Sequence, residues 1–289
     1  MNFNSCKELP NKYLGSDRKK TILIDGDRYL LKFPDPTGDY PLELELSYIN
    51  NAISEYIGCK VFKSLGIPVQ EVLLGTYSEQ GKAEKIACAC KDFCTDGFSL
   101  YEAEALLISR TEEIKTNRME LDCIVSFMEQ MEPVAEELKE RFFDMFVVDC
   151  WICNADRHNS NWGLLIHETS GEMKAAPVYD CGSALSPLLS DDMLSDEMAR
   201  EHALGTHSAI MHHGSRIWSS KCILAADHTM VNDAVRRIVP RINMHQIRAI
   251  IDETEYVSGV RKDFYKSVLQ YGYDLVLRPA YEKLISKNA

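Results

Sequence analysis

Hydrophobic residues follow two different periods along this chain, and the period changes near residue 95. Before that point, short runs rich in apolar and β-branched residues stand between turn residues, a pattern typical of strands. Asp25 and Gly26 separate the first two runs, so we expect a β-hairpin there. The predicted strands are residues 21–24, 28–33, 69–77 and 86–93.

One segment among these strands has helical spacing. Apolar residues recur at helical intervals over residues 47–65, and Gly66 and Pro68 then provide a stop signal. Glu55 falls at the edge of the apolar strip, where a carboxylate either faces solvent or pairs with an inward-facing cation. Lys32, at the end of a preceding strand, is the natural partner.

The remainder of the chain has mainly helical patterning. Two short apolar runs, residues 162–166 and 175–179, interrupt it and are predicted to be strands. The pattern predicts an α+β fold in two parts, with a small β-rich lobe over residues 1–95 and a larger helical lobe over residues 96–289. The predicted helices of the second lobe are residues 101–109, 121–131, 134–153, 231–239 and 244–252, with one or two more over 260–284.

Charge and hydropathy exclude several classes of function. The 289 residues carry 44 acidic and 32 basic side chains, for a net charge of −12, which disfavours a nucleic-acid partner. No apolar run approaches the roughly 18 residues that a membrane-spanning helix needs, so we expect neither membrane insertion nor a signal peptide. The ten cysteines lie mostly in apolar runs, which suits free thiols in a cytoplasmic protein better than disulfides.

Two groups of metal-binding residue types are better explained by packing or solvation. Cys150 and Cys153 have the spacing of a redox or zinc pair, but their flanks are typical of a buried helix and no second pair matches. Four histidines lie in a segment rich in Ser, Gly and Ala, without a carboxylate at a motif spacing. They are His202, His207, His212 and His213.

The strongest chemical pattern lies between residues 149 and 184. Asp156 is followed five residues later by Asn161, and Asp180 follows the second apolar run. Phosphoryl transfer requires a carboxylate at the nucleophile, together with an amide and a carboxylate that hold Mg²⁺ against the phosphates. These three residues meet that requirement, because their oxygen atoms are ligands that Mg²⁺ prefers.

Five motifs occur in the order found in HipA-like kinases, and the chain resembles that family over almost its whole length. The resemblance implies an α+β, bilobal, protein-kinase-like fold. The catalytic motif is also similar to that of phosphatidylinositol 3- and 4-kinases. The motifs are Tyr29-Leu-Leu-Lys32-Phe-Pro, Ser54-Glu55-Tyr56, Ala89-Cys-Lys-Asp-Phe93, Asn154-Ala-Asp156-Arg-His158-Asn-Ser-Asn161-Trp-Gly and Tyr179-Asp180-Cys-Gly.

The resemblance implies a role for each matching residue, with ATP and Mg²⁺ as cofactors. Lys32 would contact the nucleotide phosphates and pair with Glu55, while Asp156 would be the catalytic base with His158 in support. Asn161 and Asp180 would bind both the metal and the nucleotide. The adenine would bind along a hinge formed by Cys90, Lys91, Asp92 and Phe93.

The segment before the first hairpin, residues 13–20, is the candidate phosphate loop, and it departs from the family pattern. Gly15 is its single glycine, and Ser16, the hydroxyl near its tip, is a candidate for nucleotide binding and for autophosphorylation, because HipA itself is regulated at a serine in this loop. Passage of the protein into a host cell is suggested by the resemblance alone.

The acidic residues 190–197 favour a neutral or basic acceptor such as a Ser/Thr peptide over a phosphoinositide. The sequence therefore predicts an ATP- and Mg²⁺-dependent serine/threonine protein kinase. Two alternatives stay open, namely a lipid or small-molecule kinase of the same fold and a catalytically silent nucleotide-binding module.

Overall fold

The first part of the chain forms a five-stranded antiparallel sheet with one helix against it, in the order β1-β2-β3-β5-β4. The structure, a computed structural model, describes residues 1–10, 19–34, 50–79, 83–110 and 119–287. The elements are β1 (Lys7–Leu9), β2 (Lys19–Ile24), β3 (Asp27–Lys32), α1 (Asn51–Ser64), β4 (Val72–Tyr77) and β5 (Lys85–Lys91).

The predicted hairpin is formed by β2 and β3. Ile24 pairs with Asp27, so the loop is Asp25 and Gly26, both with positive φ (52° and 90°). Two consecutive positive φ values are those of a type I′ turn, whose twist matches that of antiparallel strands.

Strand alternation decides which residues face α1. Lys32 pairs with Cys88, and Cys88 packs in the core cluster that includes α1. Leu31 and its partner Ala89 belong to a separate cluster on the other face. Paired residues on neighbouring strands point to the same face of the sheet. The side chain of Lys32 therefore lies on the face that packs against α1.

Within the described residues, α1 agrees closely with the predicted helix. It runs over Asn51–Ser64, and residues 47–49 of the predicted segment lie outside the described part of the chain. It ends before Gly66, which has φ 72° and donates its N–H to Lys63 O at 3.0 Å. A glycine in this conformation is a common helix terminator, and Pro68 prevents any continuation.

The second part combines helices with a three-stranded sheet in the order β6-β7-β8 and a hairpin of β9 and β10. A π-helical segment, Tyr273–Leu277, joins the last two helices. The elements are β6 (Phe98–Glu102), α2 (Ala103–Arg110), α3 (Leu121–Glu129), α4 (Ala135–Trp151), β7 (Gly163–His167), β8 (Met173–Ala175), α5 (Asp196–Gly205), β9 (His207–His212), β10 (Ser215–Trp218), α6 (Ser219–Ala225), α7 (Thr229–Ile238), α8 (Met244–Glu253), α9 (Gly259–Gly272) and α10 (Arg278–Ser286).

Several boundaries in this part differ from the prediction by one or more residues, and two of the differences have a clear physical reason. Tyr101 lies in β6, where it pairs with Leu164, so the helix predicted from residue 101 begins only at Ala103. The strand predicted over 175–179 ends at Ala175. Pro177 lacks the N–H that a continued strand needs, and Val178 instead bridges to Val69, beside the first sheet.

The core of the second part surrounds α4, which is buried over most of its length. Trp151 near its end is fully buried and donates its Nε1–H to Leu269 O at 2.8 Å. Because α4 is held on most sides, the loop that follows it starts from a rigid support. Among the described residues, no helix has the length and apolar character needed to cross a bilayer.

Candidate active site

A cleft of about 1240 Å³ lies between the first sheet and the helical part, and the predicted site residues converge on it. This is large enough for a nucleotide, since ligand pockets commonly measure about 300–1,000 Å³. Of the predicted residues, those that line it are Lys32, Glu55, Asp92, Phe93, Asp156, His158, Asn161 and Asp180.

Lys32 bridges the two parts of the molecule. Its Nζ lies 3.0 Å from Glu55 Oε2 on α1 and 2.8 Å from Asp180 Oδ1 in the loop after β8. Burial lowers the pKa of Lys32, but the charges of Asp180 and Glu55 outweigh it, and the pKa is well above its ordinary value. The ammonium is therefore charged and is held in the cleft by two elements that are distant in sequence.

Asp180 has an unusual backbone and a stabilised charge. Its φ of 58° is in the left-handed region, which a non-glycine residue adopts only when its surroundings enforce it. Lys32 lowers the pKa of the Asp180 carboxyl, and its hydrogen bond and the charge of Arg157 act in the same direction. The carboxylate is thus ionised and ready to bind a cation.

The Asn161 side chain is oriented by the loop that carries Asp156. Its Nδ2 donates to Asp156 O at 2.9 Å and lies 3.3 Å from His158 Nε2. His158 also accepts from Ser160 N–H at 3.2 Å, which caps the short 3₁₀ helix Asn159–Asn161. With its nitrogen engaged in this way, Asn161 has Oδ1 as the atom that could hold a metal ion, and His158 supports that orientation.

This donor set fits a magnesium–nucleotide complex. Mg²⁺ commonly takes only one or two protein ligands and completes its octahedron with phosphates and water. Asn161 and Asp180 could supply two hard oxygen ligands, and Lys32 places a cation beside them. Among the described residues, no three His, Cys, Asp or Glu side chains form a self-sufficient metal site, and this includes the Cys150–Cys153 pair and the four histidines.

Arg157 holds the loop of residues 154–161, here called the catalytic loop, from its buried side. It is 4% exposed and forms a two-point ion pair with Asp149 of α4, Nε to Oδ2 at 2.9 Å and Nη2 to Oδ1 at 3.2 Å. Its Nη1 donates to Asn161 O at 2.9 Å and to Tyr179 O. One guanidinium therefore ties α4, the catalytic loop and the residue before Asp180 together.

The predicted hinge enters the cleft only at its C-terminal end. Cys90 and Lys91 belong to β5, where Cys90 pairs with both Leu30 and Val72, and neither residue lines the cleft. Asp92, Phe93 and Cys94 do line it. The Phe93 ring lies 5.7 Å from the ring of Tyr179, which forms an apolar wall at this end.

Sequence reasoning missed several residues that line the cleft or support it from within the core. Asp149 could have been found, because an aspartate within the apolar run of α4 needs a buried partner. Ser186, which hydrogen-bonds His202 Nδ1, and Ser183, which contacts Asp156, carry no motif signal. Gly15 and Ser16 lie outside the described residues.

The acidic stretch after Asp180 is partly neutralised within the fold. Arg261 of α9 pairs with Asp191 at 2.7 Å, and Tyr271 donates to Asp196 at 2.5 Å. Asp196 and Glu197 also lie in the first turn of α5, where negative charge is favourable. Less of this charge is therefore available to an acceptor than the sequence suggests, although Glu201 does line the cleft.

The cysteines agree with a reduced protein. All ten lie within the described residues, and each is a free thiol. Cys150 is buried in α4, whereas Cys153 follows its end with φ 56°. Burial raises the pKa of Cys153 to about 11, so it is not a reactive thiolate.

Comparisons with known proteins agree with this geometry. The chain matches the HipA-like C-terminal domain over residues 14–255. It is 33% identical over 307 aligned positions to the serine/threonine-protein kinase CtkA of Helicobacter pylori strain J99, covering 99% of this chain and 89% of that protein.

Solved structures show the same relationship. A crystal structure of the Helicobacter pylori proinflammatory kinase CtkA matches with a TM-score of 0.86 and 30% identity, covering 100% of this chain and 99% of that one. HipA of Shewanella oneidensis MR-1, solved with HipB and operator DNA, matches with a TM-score of 0.54 and 16% identity over 95% of this chain and 70% of that one, a likeness of fold alone. The predicted fold class and family are confirmed, and the chain belongs to the family of HipA-like C-terminal domains and is a protein kinase.

Proposed function

We propose that this protein is an ATP- and Mg²⁺-dependent serine/threonine protein kinase that autophosphorylates. The observation that carries the proposal is the position of Lys32. Its ammonium, held by Glu55 and Asp180, faces the same cleft as Asp156 and Asn161. This is the set of groups that phosphoryl transfer from a nucleotide requires.

Each residue then has a defined role. Lys32 binds the phosphates of ATP, and Glu55 holds the ammonium in place. Asp156 accepts the proton of the acceptor hydroxyl, and Asn161 and Asp180 bind Mg²⁺. The metal, when bound, neutralises charge on the phosphates. Arg157 keeps Asp149, Asn161 and Tyr179 in a fixed arrangement.

We propose that adenine binds at the end of the cleft lined by Leu30, Phe93 and Tyr179. The ring would contact the backbone of Asp92 and Phe93 there. Cys90 and Lys91 support this end through the sheet. We also propose that residues 1–95 and 96–289 act as two lobes closing on the nucleotide, because the boundary falls between β5 and β6.

A protein acceptor is supported by the relative named a serine/threonine-protein kinase and by the open continuation of the cleft beyond Asp156. That continuation includes Leu188, Leu189 and Glu201, a mixed apolar and acidic surface that suits an extended peptide better than a polyanionic headgroup. The free thiols favour a reducing compartment such as the cytosol for the working enzyme.

The deciding experiment is transfer of the labelled γ-phosphate of ATP to a Ser/Thr peptide library and, in parallel, to a phosphoinositide panel, each with and without Mg²⁺. We expect labelled peptides only, and only with the metal. Labelled lipid with unlabelled peptides would overturn the protein-kinase assignment. Asp156→Ala should abolish transfer while a fluorescent nucleotide still binds, whereas Asp180→Ala should also weaken Mg²⁺-dependent binding.

A further inference from the structure

A serine of the protein itself is hydrogen-bonded to the proposed catalytic base. Ser183, three residues after Asp180, has its Oγ 3.5 Å from Asp156 Oδ2. Its side chain is exposed in the cleft. The distance is at the long end for a hydrogen bond, as is common for catalytic contacts before the substrates bind. Since the base must contact the hydroxyl that it deprotonates, Ser183 stands where an acceptor would stand.

The backbone holds Ser183 in this position from both sides. Its neighbours in the turn, Cys181 and Ala184, are fully buried, and Ala184 N–H donates to Cys181 O at 3.0 Å. Leu185 N–H donates to Ile152 O at 2.9 Å, which attaches the turn to the end of α4. The same helix supports the loop of Asp156, so base and serine share one rigid support.

Gly182 lies where the turn approaches α1. A Cβ atom at this position would lie 3.3 Å from Glu55 Oε2, so the turn packs closely against α1 on that side. The exposed side chain of this turn, that of Ser183, lines the cleft.

We propose that Ser183 is an intramolecular phosphoacceptor of this kinase. This inference rests on the proposed function and identifies a site for the autophosphorylation. Ser183 Oγ forms a bond to the γ-phosphorus of ATP, and its proton passes to Asp156. The bond between that phosphorus and the β,γ-bridging oxygen breaks, and ADP leaves with the electron pair. The products are phosphoserine at residue 183, ADP and one proton.

Ser183 is distinguished from the other serines of the same loop by its partner. The hydroxyl of Ser186, which also lines the cleft, is engaged with His202. Ser190 precedes the 3₁₀ helix Asp191–Met193 and does not line the cleft. Only the Ser183 hydroxyl, among these three, is in contact with Asp156.

Phosphorylation at Ser183 would inhibit transfer to other proteins. The phosphate would occupy the acceptor position and would add negative charge beside Asp156 and Asp180, near Glu55. Like charges at such distances raise the energy of the complex with ATP, which is itself an anion. The modified enzyme should therefore bind nucleotide more weakly and phosphorylate peptides more slowly.

The first test maps phosphates by mass spectrometry after phosphatase-treated full-length protein is incubated with ATP and Mg²⁺. We expect phosphate on Ser183, formed at a rate per molecule that does not change on dilution. Ser183→Ala should lose this phosphate, Ser183→Thr should retain it, and the matched control Ser190→Ala should leave it unchanged. In a mixture with active enzyme, the Asp156→Ala protein should stay unmodified at residue 183.

The outcomes separate this inference from the function on which it rests. Phosphate on other residues or on peptides, with none at Ser183, would overturn the acceptor assignment and leave the kinase intact. Modification of Ser183 in the Asp156→Ala protein by active enzyme would overturn the intramolecular step. No phosphate on any residue or peptide would overturn the proposed function as well.

A second measurement does not depend on catalysis. Ser183→Asp should weaken binding of a fluorescent ATP analogue by about tenfold, because it adds one negative charge at the phosphate end of the cleft. Ser183→Asn, similar in size and neutral, is the control and should bind as the unmodified protein does. Equal affinities of the two variants would contradict the inhibitory role of charge at this position.

Discussion

Asp149 of α4 and Arg157 of the catalytic loop form a buried, two-point ion pair across eight residues of sequence. The same guanidinium bonds the carbonyl oxygens of Asn161 and Tyr179. Burial lowers the pKa of Arg157, but the charge and hydrogen bonds of Asp149 prevail, and the pKa is well above its ordinary value. The pair therefore holds the backbone beside the proposed metal ligands, although neither residue is itself a proposed ligand.

Replacement of Arg157 by lysine should damage both stability and catalysis. Lysine keeps the charge, but its single ammonium cannot form the two-point ion pair with Asp149 and also donate to the two carbonyl oxygens. We expect a loss of about 2–4 kcal/mol in the free energy of unfolding, measured by urea denaturation. Phosphoryl transfer should fall by about 10²-fold, because the catalytic loop is displaced.

The control for this prediction is Arg237→Lys. Arg237 of α7 donates from Nε and Nη2 to Asp144 Oδ1 of α4, at 3.1 and 2.7 Å, away from the cleft. This variant should lose some stability with transfer unchanged. An equal loss of transfer in both variants would show that the Arg157 effect is general destabilisation.

Removal of the Lys32 ammonium should leave Glu55 as an unpaired carboxylate that is only 1% exposed. Lys32→Met is therefore expected to lower the free energy of unfolding by about 2–4 kcal/mol. Glu55→Gln in the same chain should restore part of the loss, since a neutral amide costs less to bury than an unpaired charge. Urea denaturation of the single and double variants tests this, and a double variant no more stable than Lys32→Met would contradict it.

Gly163 is required by strand pairing next to Asn161. A Cβ atom there would lie 2.2 Å from Tyr101 O, and Gly163 pairs with Glu102 in the β6–β7 register. Gly163→Ala should cost about 1–3 kcal/mol of stability, measured by thermal or urea denaturation. Gly259→Ala is the matched control, because nothing lies within 4 Å of its added Cβ at the start of α9. Alanine at that position should be neutral or slightly stabilising.

Acid should destabilise the protein in part through His228. Burial lowers the pKa of His228, against the opposing charge of Asp227, and its Nδ1 accepts from Val231 N–H at 3.4 Å to cap α7. The unfolded state has the higher pKa, about 6.5, so it binds the proton more readily. The contribution of neutral His228 to the free energy of unfolding is thus fully present above about pH 6.5 and is lost as the pH falls below it.

His228→Asn should reduce this loss, because asparagine caps a helix without titrating. The measurement is the free energy of unfolding in urea at several values between about pH 5 and pH 7.5, where histidine changes charge. Burial also lowers the pKa of His202, so the free energy of unfolding should still fall somewhat with decreasing pH in the variant. If the free energy of unfolding depended on pH equally in His228→Asn and in the unmodified protein, His228 would not contribute to the acid destabilisation.

Which residues meet in the cleft could be predicted in part from residue types and their order. Asp156, Asn161 and Asp180 are the carboxylate, amide and second carboxylate that phosphoryl transfer would require, and all three line the cleft. Most element positions followed from hydrophobic period, because a strand or helix must bury one face. The hairpin of β2 and β3 was predicted with its turn, since Asp-Gly suits positive φ at both positions.

Contacts between residues far apart in the chain could be found only in the tertiary structure. Lys32 and Asp180 are 148 positions apart, and no local pattern shows that one ammonium serves both Asp180 and Glu55. The direction of Arg157, the start of α2 at Ala103 and the bridge from Val178 to Val69 were likewise decided by pairing partners. Local propensity sets which elements can form, whereas the energy of burial and pairing between distant elements selects their limits and their partners.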